Sequence, residues 1–420
     1  MTPTYEQLLA KAQAAVDRSN YREAVKHFRA ARRLDASDPK ITHALAIALH
    51  EMARGPQAEA LYVKLRGGEY HPSAALAMSQ FRPEAMTSSD EAILLQTART
   101  ETIGAEYRTG ACMALGRMWD AQGRLDDAFA AFRDGNDLMA KTFDLDRLAA
   151  QEDLEIARIE RAFSEAFVKR WQGRGHESAA PIFVVGRPRS GTTLIEQILA
   201  THPKVQGMRE PMALSHAIET RVYWPPQMDS PPEYFRELGE VYLRMIRQAG
   251  WRRKPRFVDK FPMNYFYIGV IALAFPNAVI LHTVRDPMDA GLSWYQRQYD
   301  RGNEFSYDLR HIGLSYRRYR RIMDHWAKVL PGRVTDVVYE DLVASPEQQI
   351  RWLITEACGL EWEDVCLRFY ENDRLVRTPS KFQVRQPIFT SAVGRWRHYQ
   401  PYLTPLIDAL GPHGPARQAA

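Results

Sequence analysis

The sequence predicts two domains of different class: an α-helical repeat array over residues 1–140 and an α/β domain with a parallel sheet over 181–410. Three observations carry this. The N-terminal stretch places small and aromatic side chains at helix-pairing offsets. From residue 181, short apolar runs (Ile182–Val185, Arg256–Val258, Ala278–Thr283, Val334–Val338) alternate with helical stretches, the texture of a parallel sheet covered on both faces. Pro181–Gln197, PIFVVGRPRSGTTLIEQ, reads as a buried strand, a glycine turn and the start of a helix. A chain of 420 residues is also too long for one small core.

Composition narrows the class. The chain has 56 Lys and Arg against 51 Asp and Glu, a net charge of +5. That suits a polyanionic ligand or acidic partner, and no nucleic-acid module is visible. Cys112, Cys358 and Cys366 show no metal or disulfide spacing and read as buried free thiols of a reducing compartment. The first residues enter an amphipathic helix with no signal-peptide core. The longest apolar tract, Tyr265–Val284, is cut by Pro276-Asn277, so a helix followed by a strand explains it better than a membrane span. These features are expected of a cytoplasmic protein without a membrane span.

Within the array, Leu115-Gly116, Trp119, Gly123, Ala128, Phe132 and Gly135 lie at tetratricopeptide offsets. Gly116 and Ala128 let two helices touch, Trp119 and Phe132 fill the gap, and Gly123 turns the chain. Ala60 precedes Ala128 by two tetratricopeptide periods. Tyr21–Ala31 carries another second helix, with Ala24, Phe28 and Ala31 in register. Pro72–Asp90 is degenerate. The stretch resembles tetratricopeptide repeats. Its role stays open between binding a peptide or protein and supporting the second domain or a homodimer. His27, His43 and His50 read as surface or packing residues. Residues 141–180 read as a connecting helix and linker, with apolar positions from Leu145 to Phe167 near a 3.6 period and a break at Gly173.

Ligands of a parallel α/β sheet bind at the C-terminal strand ends, and four features fall at or after such ends. The first is Gly186-Arg-Pro-Arg-Ser-Gly-Thr-Thr193. It has the spacing of the phosphate loop GxxxxGK[ST], except that Thr192 replaces the lysine. That lysine normally reaches the β/γ-phosphates, so a triphosphate-magnesium site is not expected. Arg189 supplies fixed charge before the Ser190, Gly191, Thr192 and Thr193 donors, which suits a monophosphate or phosphosulfate. The second is Glu210, downstream of Arg189 and after a second expected strand at Val205-Gln206, a candidate general base; an ion pair with Arg209 or Arg189 is the plainer alternative. The third is Lys260, after a short strand, able to stabilise charge on a transferring group, with Asp259 positioned to orient it. The fourth is Arg285 with Ser293 eight residues on, a guanidinium and a hydroxyl for one further phosphate; here the alternative pairs Arg285 with Asp286 or Asp289.

Taken together, these motifs resemble sulfotransferases that use 3′-phosphoadenosine 5′-phosphosulfate, within the P-loop fold, and above all the tyrosylprotein sulfotransferases and the bacterial tetratricopeptide-repeat sulfotransferases. The resemblance implies roles. Arg187 and Arg189 belong to the donor loop, with Arg189 at the sulfuryl group. Ser190, Gly191, Thr192 and Thr193 bind the 5′-phosphate. Arg285 and Ser293 bind the 3′-phosphate. Glu210 is the catalytic base and Lys260 stabilises the transition state. Thr378–Pro387 resembles the segment that closes over the cofactor, with Ser380 on the sulfuryl side. Arg395 and Trp396 match the basic-Trp pair that reaches the 3′-phosphate. The tyrosylprotein pattern has paired acidic residues at the base, and here the first is Arg209, which bears on the acceptor. The implied reaction is metal-free in-line transfer to a hydroxyl of a peptide or protein tyrosine, a carbohydrate, a lipid or a small metabolite. A small-molecule P-loop kinase and a non-catalytic repeat scaffold are the alternatives. Arg317-Arg318 and Arg320-Arg321 read as a solvated helical face, Leu403–Leu410 as a last helix and 411–420 as a flexible tail.

Overall fold

The computed structural model describes residues 3–220, 224–252, 254–299 and 302–415. It divides into two units: Met1–Phe143 with Tyr295–Asp308 and Arg374–Gln383, and Asp144–Trp294 with Leu309–Asp373 and Val384–Ala420.

In the first unit, α-helices from Tyr5–Asp17 to Leu125–Ala140 follow one another, each packing on the next. Their starts carry local signals: Thr4 and Gln7 form a capping box, and Asp38 caps a helix that opens on Pro39. The pairing of Ala105–Ala121 with Leu125–Ala140 follows the expected logic. A Cβ on Gly116 would lie 2.4 Å from the Phe132 ring, and Gly123 turns the chain at φ +75°. Trp119 is only partly buried; its indole donates to Glu91 and lies under the Arg124 guanidinium. The spacing of Ala60 and Ala128 is not a packing repeat, because Ala60 is exposed and Ala58 is the buried alanine of its helix.

The degenerate stretch is organised by a buried carboxylate instead. Asp90 accepts from Arg66, His71 and Thr87 at 2.7–2.9 Å. Burial would raise its carboxyl, and these bonds outweigh burial and hold it below the ordinary value. His50 is a packing residue, ringed by Tyr62, Phe81 and Phe382, and burial pushes it down to about 3.

The second unit is built on five parallel strands, β1 (Pro181–Gly186), β2 (Val205–Gly207), β3 (Arg256–Lys260), β4 (Val279–Val284) and β5 (Thr335–Val338), in the order β2-β3-β1-β4-β5. β1 is buried throughout, as a central strand covered on both faces must be. From β1 the chain crosses to β2 at the edge, comes back to β3 beside β1, and then passes to the other side of β1 as β4, so the carboxyl end of β1 is the topological switch point.

Most of the stretch expected to connect the domains is helical. Helices Leu145–Ala162 and Glu165–Trp171 belong to the second unit, where Ile156, Phe163, Phe167 and Trp171 join one core with Phe235, Phe275 and Trp326. The arginines of helix Leu309–Val329 are not all a solvated face. Arg318 is 8% exposed and bonds Glu152 at 2.6 Å, and Arg321 bonds Glu160 at 2.9 Å. The tail begins with a short turn, Gly411–His413, whose histidine meets Tyr316; residues 416–420 lie outside the described residues. All three cysteines are buried and unpaired, and burial raises their thiols to between about 11 and about 12. Among the described residues, no helix is long and apolar enough to cross a membrane.

Candidate active site

The loop after β1 is shaped by backbone that side chains disfavour. Gly186 has φ +141°, and a Cβ there would sit 2.5 Å from Thr283 Oγ1. Gly191, at φ +101°, is the N-cap of helix Thr192–Thr201, and its Cβ would press the Tyr339 ring at 2.9 Å. Glycine alone fits both places. No side chain caps this helix, so its first N–H groups are suited to an acceptor from outside. Thr192 and Thr193, which open it, are both buried.

The loop is pinned from below. Trp294 Nε1 donates to the Pro188 carbonyl at 2.6 Å. Ser190 Oγ donates to the Arg187 carbonyl at 2.6 Å and meets Thr283 Oγ1 at 2.5 Å. The serine hydroxyl therefore holds the loop's own shape. Arg187 is held in the same network. It is 2% exposed, and its guanidinium donates to Tyr265 and Ser315 and lies 4.3 Å over the Trp294 ring. These contacts hold the guanidinium beneath the loop.

Arg189 adopts φ +69°, rare for a residue with a Cβ. Its Nε donates to Ser293 Oγ at 3.0 Å, and its carbonyl accepts from Arg285 Nη1 at 2.9 Å. The expected 5′ loop and 3′ pair are thus one hydrogen-bonded group. Arg285 bonds neither Asp286 nor Asp289. Its Nη2 donates to the Ala392 carbonyl at 2.7 Å, its plane lies over Tyr339, and its Nε is buried with no hydrogen-bond partner among the described residues. An orphaned buried guanidinium N–H fits an anionic ligand.

Glu210 follows β2 and forms a close ion pair with Lys260 at the end of β3. Lys260 is 1% exposed and Glu210 39%. The ladder between the strands sets this meeting: Met208 N donates to the Val258 carbonyl and Lys260 N to the Arg209 carbonyl, at 3.0 and 3.2 Å. Arg209 also sits at positive φ, +67°. Its N–H is held by the buried Glu196 carboxylate at 2.9 Å.

Asp259 does not orient Lys260. Successive strand residues face opposite ways, and Asp259 turns to Tyr242 and Asn264, at 2.8 and 3.3 Å. Burial raises its carboxyl to about 7, against the lowering effect of the Tyr242 hydroxyl.

The C-terminal candidates separate. Trp396 is buried beside this site: Asp289 accepts from the Gly394 and Trp396 N–H groups at 2.6 and 3.0 Å. Arg395 opens the helical turn Arg395–Tyr402 there. Ser380 lies in Arg374–Gln383, which belongs to the helical unit. There Lys381 pairs with Glu51 at 2.7 Å and Phe382 stacks on Phe81.

Three residues escaped the sequence reading. Glu196 carried a signal, a carboxylate inside an apolar helix face. Trp294 and the anchoring use of Asp289 carried none, since their partners lie about 100 residues away.

Residues 181–364 match the family described as "Sulfotransferase family". A protein of Aquifex aeolicus (strain VF5), described only as uncharacterized, is 33% identical over 359 residues, covering 81% of this chain and 46% of its own length. Protein-tyrosine sulfotransferase A of Caenorhabditis elegans is 28% identical over 244 residues, 53% of this chain and 62% of its own. Omega-hydroxy-beta-dihydromenaquinone-9 sulfotransferase of Mycobacterium bovis is 24% identical over 237 residues, 41% of this chain and 61% of its own. The chain thus spans about half the length of the Aquifex relative and three-fifths of the other two.

Proposed function

We propose that this chain, whose α/β unit matches the sulfotransferase family over residues 181–364, transfers a sulfuryl group from 3′-phosphoadenosine 5′-phosphosulfate to an acceptor hydroxyl. The observation that carries the reading is convergence. The glycine loop follows β1, Glu210 follows β2, Lys260 ends β3 and Arg285 follows β4, and these are four neighbouring strands of one parallel sheet.

The residues fit a donor with two phosphate ends. The uncapped helix start and the Thr192 and Thr193 hydroxyls suit the 5′ side. Arg285, with its orphaned Nε, and Ser293 suit the 3′ side. The donor is a substrate that supplies the sulfuryl group and a phosphate leaving group. Glu210 takes the acceptor proton while the acceptor oxygen bonds to sulfur and the bond to the phosphate oxygen breaks. Lys260 and Arg189 are the fixed cations for the charge that grows on that oxygen. Sulfuryl transfer carries less charge than phosphoryl transfer, and Thr192 stands where a triphosphate loop has lysine, so the proposal needs no magnesium.

The acceptor class is a hydroxyl compound. Two relatives are named for protein tyrosine and for an omega-hydroxy dihydromenaquinone, and both acceptors present a hydroxyl. The helical unit, similar to tetratricopeptide repeats, favours a peptide or protein.

The test is transfer of labelled sulfate from the donor, in EDTA, to tyrosine peptides, lipid extracts and lysate, read by mass spectrometry. Glu210→Gln should lose at least about 100-fold in turnover and still bind adenosine 3′,5′-bisphosphate. Normal turnover in that variant removes Glu210 from the base role. Absence of bisphosphate binding by the native chain refutes the donor.

A further inference from the structure

The turn 392–396 is tied to the β4 end by two residues four apart. Arg285 Nη2 donates to the Ala392 carbonyl at 2.7 Å. One helical turn later, Asp289 accepts from Gly394 N at 2.6 Å and from Trp396 N at 3.0 Å. Gly394 is left-handed, at φ +70°, and leads into the helical turn Arg395–Tyr402, which has no side-chain cap of its own. Asp289 supplies that cap from another element. It is 4% exposed, so its charge is kept from water and satisfied largely by these two amides. A carboxylate on backbone N–H groups is a strong, directional tie.

The β4 end and the short helix Pro287–Tyr295 that follows it hold these groups. Arg285 begins the stretch, Asp289 lies in its first turn, and Ser293 follows a turn later with its Oγ on Arg189. The basic turn Arg395-Trp396-Arg397 is thereby set beside a guanidinium that already has one hand on the donor loop. Remove the Asp289 tie, and Arg285 must hold the turn through one bond while gripping a ligand.

We propose that Asp289 is a positioning residue for the 3′-phosphate end of the donor site, acting through the turn 392–396. This rests on the donor reading above. Asp289 does not touch the ligand; a carboxylate there would repel a phosphate. It holds Arg395 in place through the backbone of the turn.

The experiment is calorimetric titration of the full chain and its Asp289→Asn variant with adenosine 3′,5′-bisphosphate and with adenosine 5′-monophosphate. The expected result is a Kd for the bisphosphate raised by about tenfold or more, equal to about 1.4 kcal/mol, with the monophosphate Kd changed less than about twofold. KM for the donor should rise with kcat at saturation nearly kept. Equal weakening of both ligands, or no change in either, overturns the proposal. Asp289→Glu keeps the charge and moves it by one methylene; it should show a smaller loss, again confined to the bisphosphate, and gives the reading if the Asn variant does not fold. In an Arg395→Ala background, Asp289→Asn should cost less than about twofold more, and full additivity refutes action through the turn. A native chain that binds the two nucleotides equally overturns the donor reading and this inference with it. A native chain that discriminates, with an unaffected Asn variant, overturns this inference alone.

Discussion

The Glu210–Lys260 pair makes an asymmetric prediction. Lys260 is 1% exposed and Glu210 39%. Breaking a fully buried pair from one side costs about 3–5 kcal/mol, because the other charge is stranded. Glu210→Gln strands the buried ammonium, although the amide carbonyl still accepts one hydrogen bond, so the cost should be about 2 kcal/mol. Lys260→Met strands only a carboxylate that water already reaches, and the methionine fills the lysine stem, so the cost should stay below about 1 kcal/mol. For a unit of this size, 1 kcal/mol moves Tm by about 2–4 °C. Glu210→Gln should therefore melt about 4–8 °C below the native chain and Lys260→Met within about 3 °C, in scanning calorimetry near pH 7. Turnover should fall by at least about 100-fold in both. A Lys260→Met variant that melts as low as Glu210→Gln refutes the reasoning, since it places the stabilising weight on the lysine side.

Three further outcomes follow from named contacts. Asp259 has its carboxyl raised to about 7, so the folded state holds a proton that the unfolded state releases near pH 4; its contribution is complete below pH 4 and is lost as pH rises through about 7. Asp259→Asn should flatten that part of the stability profile in denaturant titrations from pH 4 to 8, and an unchanged slope would remove Asp259 as its source. Gly116→Ala drives a Cβ toward the Phe132 ring at 2.4 Å and should destabilise the helical unit by about 1–3 kcal/mol; Phe132→Leu should recover part of it, and a neutral Gly116→Ala refutes the close approach. Gly191→Ala combines φ +101° with a 2.9 Å contact to Tyr339, and should weaken adenosine 3′,5′-bisphosphate by at least about tenfold while the far-ultraviolet circular dichroism stays native.

What was legible in the sequence was what local physics writes locally. The buried run Ile182–Val185, the glycines around the turn and the hydroxyls opening the helix announce the loop. The apolar runs at 256, 278 and 334 announce β3, β4 and β5, and Gly116 with Phe132 announces a close helix pair. Side-chain commitment was not legible. Arg187 and Arg189 are two residues apart in one loop, yet one is caged by Trp294, Tyr265 and Ser315 and the other meets Ser293. The cage comes from residues 78 to 128 positions downstream, and no spacing rule reports it. Residues 145–171 misled for a related reason. Their helical period was plain, but the core that covers them is made by residues 224–275 and 319–330.

Lys260 and Glu210 meet because β2 and β3 are neighbours and their ladder runs past the formal end of β2. On that ladder Arg209, not Glu210, lies opposite Lys260, and the left-handed turn at Arg209 brings the Glu210 carboxylate onto the ammonium. Carboxylate and ammonium are thus brought together by one backbone feature, the strained turn at Arg209. A non-glycine residue in the left-handed region persists only where its surroundings over-determine it. Here Glu196 fixes the Arg209 N–H and the Lys260 N–H fixes its carbonyl. Glu196 rises from helix Thr192–Thr201, which follows the glycine loop. The helix after the glycine loop and the turn that presents Glu210 are therefore joined through one buried glutamate, by a single hydrogen bond to the Arg209 N–H.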